Sequence, residues 1–293
     1  MKTLTPIAVA IAVAVSGSVF AANNTTNQNQ AGVGNIASST QVGPGNDNNL
    51  VLQTQVGTVN NSTVLQTLGS DLNTINHLQT GALNSATSTQ SGGVLNTASI
   101  VQVGNGNTGI TTQSAPAFAS TALINQTGNF NSGIVTQTAS TQDLSSVNQV
   151  GDFNIANITQ TLSSANTAVV NQAGEINTAT HIQTGSVNTS VSTQVGTLNN
   201  AFVFQAGLGS ESLTLQTGFS NVSFHTQTGS FHSALTNQLG ILNISTVTQL
   251  GLGHDATVNQ VGTANLHTIT QFGFNESAVA TQVGTGNVGI IVQ

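Results

Sequence analysis

A repeat of eleven residues runs through this chain and constrains its fold more than any other feature. Each unit is a Gln, any residue, a Gly, two residues, an Asn and five more residues before the next Gln, as in residues 238–249. From Gln172 to Gln293 every spacing is eleven, whereas from Gln30 to Gln172 elevens alternate with spacings of twelve to fourteen. A fixed period of this kind predicts a stack of similar units, each built from two halves.

The residue types in the repeat decide between a helical and an extended unit. An eleven-residue period also suits a right-handed helical supercoil. In a helix, however, one Gly per unit would cost about 1 kcal/mol each, and Thr, Val, Asn and Ser are poor helix formers. A Gly two places after each Gln suits a tight turn between strands. We therefore predict an all-β fold, a β-solenoid with roughly eleven and a half strand–turn–strand–turn rungs over residues 30–293.

Alternation along each predicted strand indicates which side chains point inward. The Asn, the residues two and four places after it, and the next Gln share one face, and the middle two are mostly small or aliphatic. In rungs stacked about 4.8 Å apart, identical amides form hydrogen-bonded ladders. The predicted ladder residues are Gln149, Asn154, Gln160, Gln172, Asn177, Gln183, Asn188, Gln194, Asn199, Gln205, Gln216, Gln227, Gln238, Asn243, Gln249, Gln260, Asn265, Gln271, Gln282 and Asn287. The predicted turn residues are Gly151, Gly174, Gly185, Gly196, Gly207, Gly218, Gly229, Gly240, Gly251, Gly262, Gly273 and Gly284.

The start of the chain has a different composition from the repeat. Residues 1–21 are typical of a secretory signal peptide, with Lys2 ahead of an apolar run from Ile7 to Val15. The alternative, a membrane anchor, is disfavoured because the run is too short to span a bilayer. Residues 22–29 are polar, and we expect them to be disordered, either as an export tag or as a frayed terminus. The sequence therefore predicts a secreted protein whose repeat domain covers 30–293.

Charge is nearly absent from the chain. Only 3% of its residues are charged, against about 25% in ordinary soluble domains. Lys2 is the one cation, so zero cations and eight carboxylates after the signal give a net charge of −8. This composition excludes the basic surface of a nucleic-acid or anionic-membrane binder. The chain has no Cys, and no catalytic constellation stands out, so we expect neither enzymatic activity nor a metal or cofactor.

A fuller form of the motif, Gln-x-Gly-x-Gly-Asn, occurs at residues 30–35, 41–46, 102–107 and 282–287. With over twenty units in register across 30–293, the chain resembles the curlin repeat of the bacterial curli subunits. The resemblance implies a secreted functional amyloid that polymerises on the cell surface into curli-like fibres of the biofilm matrix and supports adhesion and aggregation. It also implies three partners: further copies of the chain, a nucleator subunit and an outer-membrane export channel.

The chain departs from the curlin pattern in lacking Tyr, Trp and any cation after residue 21. Curli nucleators tend to carry basic residues in their late repeats, so the resemblance favours the major subunit over the nucleator. The alternative to a fibre subunit is a monomeric binding solenoid, an ice-binding protein or an adhesin. An ice-binding face needs a Thr-x-Thr array in every rung. At the positions three and five residues after the Asn, this array occurs only at Thr87/Thr89, Thr246/Thr248 and Thr268/Thr270, which is three of the eleven first halves.

The register predicts several stacked pairs of unusual side chains. His232 and His254 fall in the Asn slot of successive rungs, and we interpret them as hydrogen-bonding substitutes for Asn rather than as metal ligands. Asp152 and Glu175 are predicted to stack as like charges, as a solvated turn, as a cation bridge or as a brake on premature assembly. The remaining predictions are that Phe130/Phe153 and Phe202/Phe224 stack, for turn shielding or lateral contact between fibres, and that Pro116 marks a weak rung.

Overall fold

The computed structural model describes residues 12–14 and 23–293, and these form β-strands joined by tight corners. Most of the predicted signal peptide, residues 1–21, therefore lies outside the described residues. In chain order the strands are β1 (Ala12–Ala14), β2 (Thr25–Val33), β3 (Ile36–Val42), β4 (Leu50–Thr58), β5 (Asn61–Thr67), β6 (Thr74–Ala82), β7 (Ser85–Val94), β8 (Thr97–Asn105), β9 (Thr108–Phe118), β10 (Thr121–Asn129), β11 (Ser132–Thr141), β12 (Leu144–Asp152), β13 (Ile155–Ser164), β14 (Thr167–Glu175), β15 (Thr178–Ser186), β16 (Thr189–Thr197), β17 (Asn200–Leu208), β18 (Glu211–Phe219), β19 (Val222–Ser230), β20 (Ser233–Ile241), β21 (Ile244–Leu252), β22 (Asp255–Thr263), β23 (Leu266–Phe274), β24 (Ser277–Thr285) and β25 (Val288–Val292).

The strands form two parallel sheets in which each strand pairs with the strand two places later in the chain. Odd-numbered strands make one sheet and even-numbered strands the other. Strands β2 to β25 therefore make a β-solenoid of about twelve rungs, each with one strand in either sheet. The predicted fold class is confirmed. Among the described residues, no helix is long and apolar enough to span a membrane.

The expectation of a disordered segment at 22–29 was wrong for residues 25–29. Thr25 begins β2, which pairs in register with β4. The Gln28 amide donates to the Gln53 Oε1 at 2.8 Å. The physical reason is that each strand begins five residues before its Gln, so the strand that contains Gln30 lies mostly ahead of the first motif. This half-rung brings the predicted eleven and a half rungs to twelve.

Burial alternates along each strand as the sequence predicts. In β16 the inward residues Ser190, Ser192 and Gln194 are buried, and so is Asn188 at the preceding corner. The interior is narrow, and its apolar part divides into three clusters, around Val51 and Val64, around Ile124 and Ile158, and around Val247 and Val258. Most of the buried residues between the second and third clusters, such as Ser212, Thr214 and Ser223, are polar.

The irregular spacings of the first half of the sequence widen one corner of the solenoid. Strands β7, β9, β11 and β13 have ten or eleven residues, whereas most others have nine. Pro116 lies in β9, which still pairs with both neighbours. Its register shifts between Ser91 and Gly93 on the β7 side and between Thr138 and Thr141 on the β11 side. The extra residues are thus taken up as a bulge, and pairing resumes at Ala117 on the β7 side and at Phe118 on the β11 side.

Candidate functional site: the side-chain ladders

Two columns of Gln side chains run the length of the solenoid, one in each sheet. In each column the Nε2 of one Gln donates to the Oε1 of the Gln one rung later, over 2.7–3.0 Å. The columns are continuous from Gln30 to Gln282 and from Gln41 to Gln293. They hold every predicted ladder Gln.

Most of the Gln amides also tie the two sheets together. The Gln183 Nε2, for example, also donates to the carbonyl oxygen of Thr167 in the opposite sheet at 2.9 Å. From Gln55 to Gln271 the side chains of both columns are buried, so these bonds satisfy groups that would otherwise be costly to bury. The Gln columns therefore act as internal crosslinks along and across the solenoid.

The corner before each odd-numbered strand is occupied by Asn in all twelve rungs, from Asn35 to Asn287. We call this column the Asn corner. At Asn177 the backbone N and the Nδ2 both donate to the Asn154 Oδ1 at 3.1 Å, and Nδ2 also donates to the Gly196 carbonyl at 2.8 Å. Each side chain thus replaces the hydrogen bonds that the backbone loses where the strands end.

The corner before each even-numbered strand has a mixed column, which we call the mixed corner. It holds Asn24, Asn49, Asn73, Asn96, Ser120, Asp143, Asn166, Asn188, Ser210, His232, His254 and Glu276. The predicted ladder residue Asn188 belongs to this column. The other predicted ladder asparagines lie in the Asn corner, so the predicted set combines two structurally distinct columns.

Asp143 is the buried carboxylate of the mixed corner. Its Oδ1 accepts the backbone N–H of Asn166 at 2.9 Å, and its Oδ2 accepts a short hydrogen bond from the Ser163 hydroxyl. Burial raises the pKa of Asp143, and these two hydrogen bonds partly oppose the rise. An Asn at this slot would donate to the next rung, and Ser163 supplies the donor that the carboxylate lacks.

The predicted turn glycines lie elsewhere than expected. They keep positive φ angles, but they are the penultimate residues of strands, for example Gly207 in β17 at φ 143°. A Cβ on Gly207 would overlap the carbonyl oxygen of Gly229 in the next rung. The left-handed corner residue is instead the one just before the Asn slot, such as Leu198 (φ 60°) or Gly286 (φ 68°). We predicted these Gly residues in the turns because a sequence does not show how closely the backbones of adjacent rungs approach.

His232 and His254 stack as the register predicts. Their ring centroids lie 5.1 Å apart with an interplanar angle of 4°, and both side chains are buried. Nε2 of each ring lies 3.1 Å from a carbonyl oxygen, that of Thr228 or Leu250. Burial lowers the pKa of His232, opposed by a hydrogen bond to Thr228, and the neighbouring His254 lowers it further. The two rings therefore take over the hydrogen bonding of the Asn side chain.

Four further imidazoles, those of His77, His181, His225 and His267, are buried in the interior. The ring nitrogens of His77 lie 2.8 Å from the Ser62 Oγ and 2.6 Å from the Ser88 Oγ. His181 and His225 likewise lie between two hydroxyl side chains. Desolvation lowers the pKa of His77 and of His181 to about 3 and that of His225 to about 4. The signal for this arrangement was present in the sequence, because each His shares the inward face with Ser or Thr of an adjacent half-rung.

The other predicted pairs occur in the structure. Asp152 pairs with Glu175 in the register of β12 and β14, and the Asp152 Oδ1 accepts the Asn129 backbone N–H at 2.7 Å. The rings of Phe130 and Phe153 stack at 5.2 Å. Phe202 and Phe224 meet at 6.2 Å with tilted rings. Within the described ranges, no group of three or more His, Cys, Asp or Glu side chains could hold a metal ion.

No protein-family model matches the chain, and a search of the curated proteins finds no match either. The class of protein that the structure defines is therefore a parallel β-solenoid with continuous internal amide ladders. The structure alone assigns no activity to it.

Proposed function

We propose that this chain is a secreted structural subunit that assembles with further copies of itself into curli-like amyloid fibres of a biofilm matrix. The observation that carries the proposal is the unbroken register of the two Gln ladders. Every rung offers the same amide donors on one side and the same acceptors on the other. A rung of one copy therefore fits a rung of another copy as well as it fits its own neighbours, which is the condition for cross-β stacking.

The outer surface supports the same proposal. The described residues include no Lys or Arg, so the surface lacks the inward-pointing or edge lysines with which soluble β proteins resist edge-to-edge pairing. In the described structure β24 and β25 each pair with one neighbour only. Such an edge presents unpaired N–H and C=O groups to another strand. On the curli resemblance, fibre growth would also involve a nucleator subunit and an outer-membrane export channel.

Assembly of the purified chain without its predicted signal tests the proposal. We expect fibres that bind thioflavin and give a meridional spacing of about 4.8 Å after dilution from denaturant. Ala280→Lys, which buries a charge on the inward face of β24, should slow elongation. Val279→Lys, on the outward face of the same strand, is the matched control and should elongate much like the parent. A soluble monomer that persists for days at tens of micromolar would contradict the proposal.

A second candidate function, a binding solenoid, is favoured by one observation. Two adjacent outward columns of the odd-numbered sheet hold hydroxyl side chains in four successive rungs, Thr89/Ser91, Thr112/Ser114, Thr136/Thr138 and Thr159/Thr161. This array lies in a different pair of columns from Thr87/Thr89 and was not predicted from the sequence. If the array binds ice, Thr136→Tyr should abolish inhibition of ice growth, whereas Asn148→Tyr on the other sheet should not. No inhibition by the parent chain would remove the ice-binding candidate.

A further inference from the structure

The stacked His pair of the mixed corner makes hydrogen bonds that depend on its protonation state. Because the Nε2 of each ring lies beside a carbonyl oxygen, that nitrogen carries the proton. The other nitrogen, Nδ1, must then be an acceptor. The His232 Nδ1 lies 3.3 Å from the His254 backbone N, and the His254 Nδ1 lies 3.3 Å from the Glu276 backbone N. Each neutral ring therefore accepts a hydrogen bond from the backbone N–H of the corner residue one rung later.

A proton on Nδ1 would turn this acceptor into a donor facing another donor. The backbone N–H of His254, or of Glu276, would then lose its partner in a buried corner, which is a costly state for a polar group. At the same time two parallel imidazolium rings 5.1 Å apart would repel each other. Both effects act on the same two corners, those before β22 and β24.

We propose that the stacked pair His232–His254 is an acid-sensitive latch, which holds the corners before β22 and β24 closed while both rings are neutral and releases them when the rings are protonated. The proposal goes beyond fibre assembly and does not depend on it, since it concerns local opening within one chain. The Asn corner of the same rungs has no titratable side chain, so the opposite side of the solenoid stays closed.

The charged groups around the pair decide which ring is more sensitive. Glu276 places its Oε2 3.6 Å from the His254 Nδ1, and this oxygen has no hydrogen-bond partner. The His254 Nδ1 therefore has a carboxylate beside it, whereas the His232 Nδ1 meets only a backbone N–H. Glu211 and Asp255 are exposed at the starts of β18 and β22. The interior ring of His225 in β19 hydrogen-bonds to Ser212 and Thr236 instead. His232 is thus the principal sensor.

Hydrogen exchange followed by peptide mass analysis tests the latch on the full chain without its predicted signal. We expect the protection factors of residues 250–258 and 272–280 to fall between about pH 6.5 and pH 4.5, by up to about tenfold per pH unit as the His232 ring is protonated on opening. The double variant His232→Asn and His254→Asn, which restores the residue found at Asn166 and Asn188, should remove this local fall.

One control variant and one independent measurement complete the test. His225→Gln removes an interior imidazole of the adjoining strand and should leave the fall at 250–280 in place. If the double variant does not fold, nitrogen NMR shifts of the His rings in the parent chain give the tautomers directly at pH 7.5. An Nδ1–H tautomer at His232, or an equal loss of protection in parent and double variant, would overturn the proposal.

Discussion

At the residue scale, glycine is required where neighbouring rungs approach most closely, not where the chain turns. In ten of the predicted turn positions, from Gly151 to Gly262, a Cβ would overlap the carbonyl oxygen of the Gly one rung later. At the left-handed corner position just before the Asn slot, by contrast, the chain accepts Leu198, Phe153 or Val187. There the side chain points into solvent, so only the backbone preference is opposed.

This difference makes a testable pair of substitutions. Gly207→Ala should lower the free energy of unfolding by about 2 kcal/mol or more, because it combines steric overlap with an unfavourable φ. Gly286→Ala is the matched control, since nothing lies within 4 Å of its Cβ position, and it should cost about 1 kcal/mol or less. Denaturation midpoints of the two variants measure the difference. Equal losses would show that the backbone angle, rather than the close approach, makes Gly necessary.

Asp143 gives a second prediction at this scale. Its raised pKa means that the folded chain binds a proton there more readily than the unfolded chain, so ionised Asp143 lowers stability at pH 7. Asp143→Asn should therefore raise the free energy of unfolding, by on the order of 1 kcal/mol. Below the ordinary value of 3.8 the carboxyl is protonated in both states, and the gain should fade.

The reverse substitution one rung later is the control. Asn166 donates its Nδ2 to the Gly185 carbonyl at 3.1 Å, where no hydroxyl stands ready to donate to a carboxylate. Asn166→Asp should therefore be destabilising at pH 7. If Asp143→Asn is also destabilising, the bond from Ser163 outweighs the cost of burying the charge.

At the scale of the strand, the bulge at Pro116 is the interruption that the sequence predicts, but it is short. Pairing lapses only between Ser114 and Phe118 on the β11 side, and Pro116 has no N–H to donate. By contrast, β20, β21 and β22 pair along their whole length. The loss of ladder bonds is thus confined to a few residues of one strand.

Hydrogen exchange should report this local weakness. Amides of residues 113–125 are expected to exchange faster than those of 238–259, with the excess concentrated at 115–117. Replacing 115–117 by the shorter corner of a regular rung should restore slow exchange there. Equal protection of the two segments in the parent chain would mean that the bulge is held by contacts other than the ladder.

At the scale of the whole molecule, the interior His residues predict acid sensitivity. The folded pKa values of His77, His181 and His225, about 3 to 4, lie below their ordinary value of 6.5. The unfolded chain therefore binds more protons below pH 6.5, and stability falls with pH from 6.5 towards the folded values. Each ring contributes about 1.4 kcal/mol per pH unit over that window.

We expect the free energy of unfolding to drop steeply from pH 7 to pH 4.5, measured by guanidinium chloride denaturation. The triple variant His77→Gln, His181→Gln and His225→Gln should flatten most of this slope. Gln is the natural choice because Gln53 occupies the position one rung before His77 and donates to Ser62 at 2.8 Å. An unchanged slope in the triple variant would mean that these rings are protonated inside the fold. The double variant His232→Asn and His254→Asn removes only a local part of the slope, so it would not flatten the profile by itself.

The sequence by itself determined the architecture. A strict period of Gln, Gly and Asn specifies parallel strands in register, because each displacement by one residue would turn the inward amides outward. The alternation of small and apolar residues likewise placed the interior, and the Asn slot placed His232 above His254. These features could be read because they repeat many times, and each repetition tests the same local pattern.

Only the tertiary structure decided which contacts neighbouring rungs make with one another. It showed that the Gly relieves a contact between rungs, that Ser163 satisfies Asp143, and that Thr25 already belongs to a strand. It also showed that His77 lies between hydroxyls of the opposite sheet. Each of these depends on a contact between residues eleven or more positions apart whose distance and direction are set by the stacking of the rungs. A one-dimensional pattern carries no such distance, so the chemistry of the interior followed only from the folded chain.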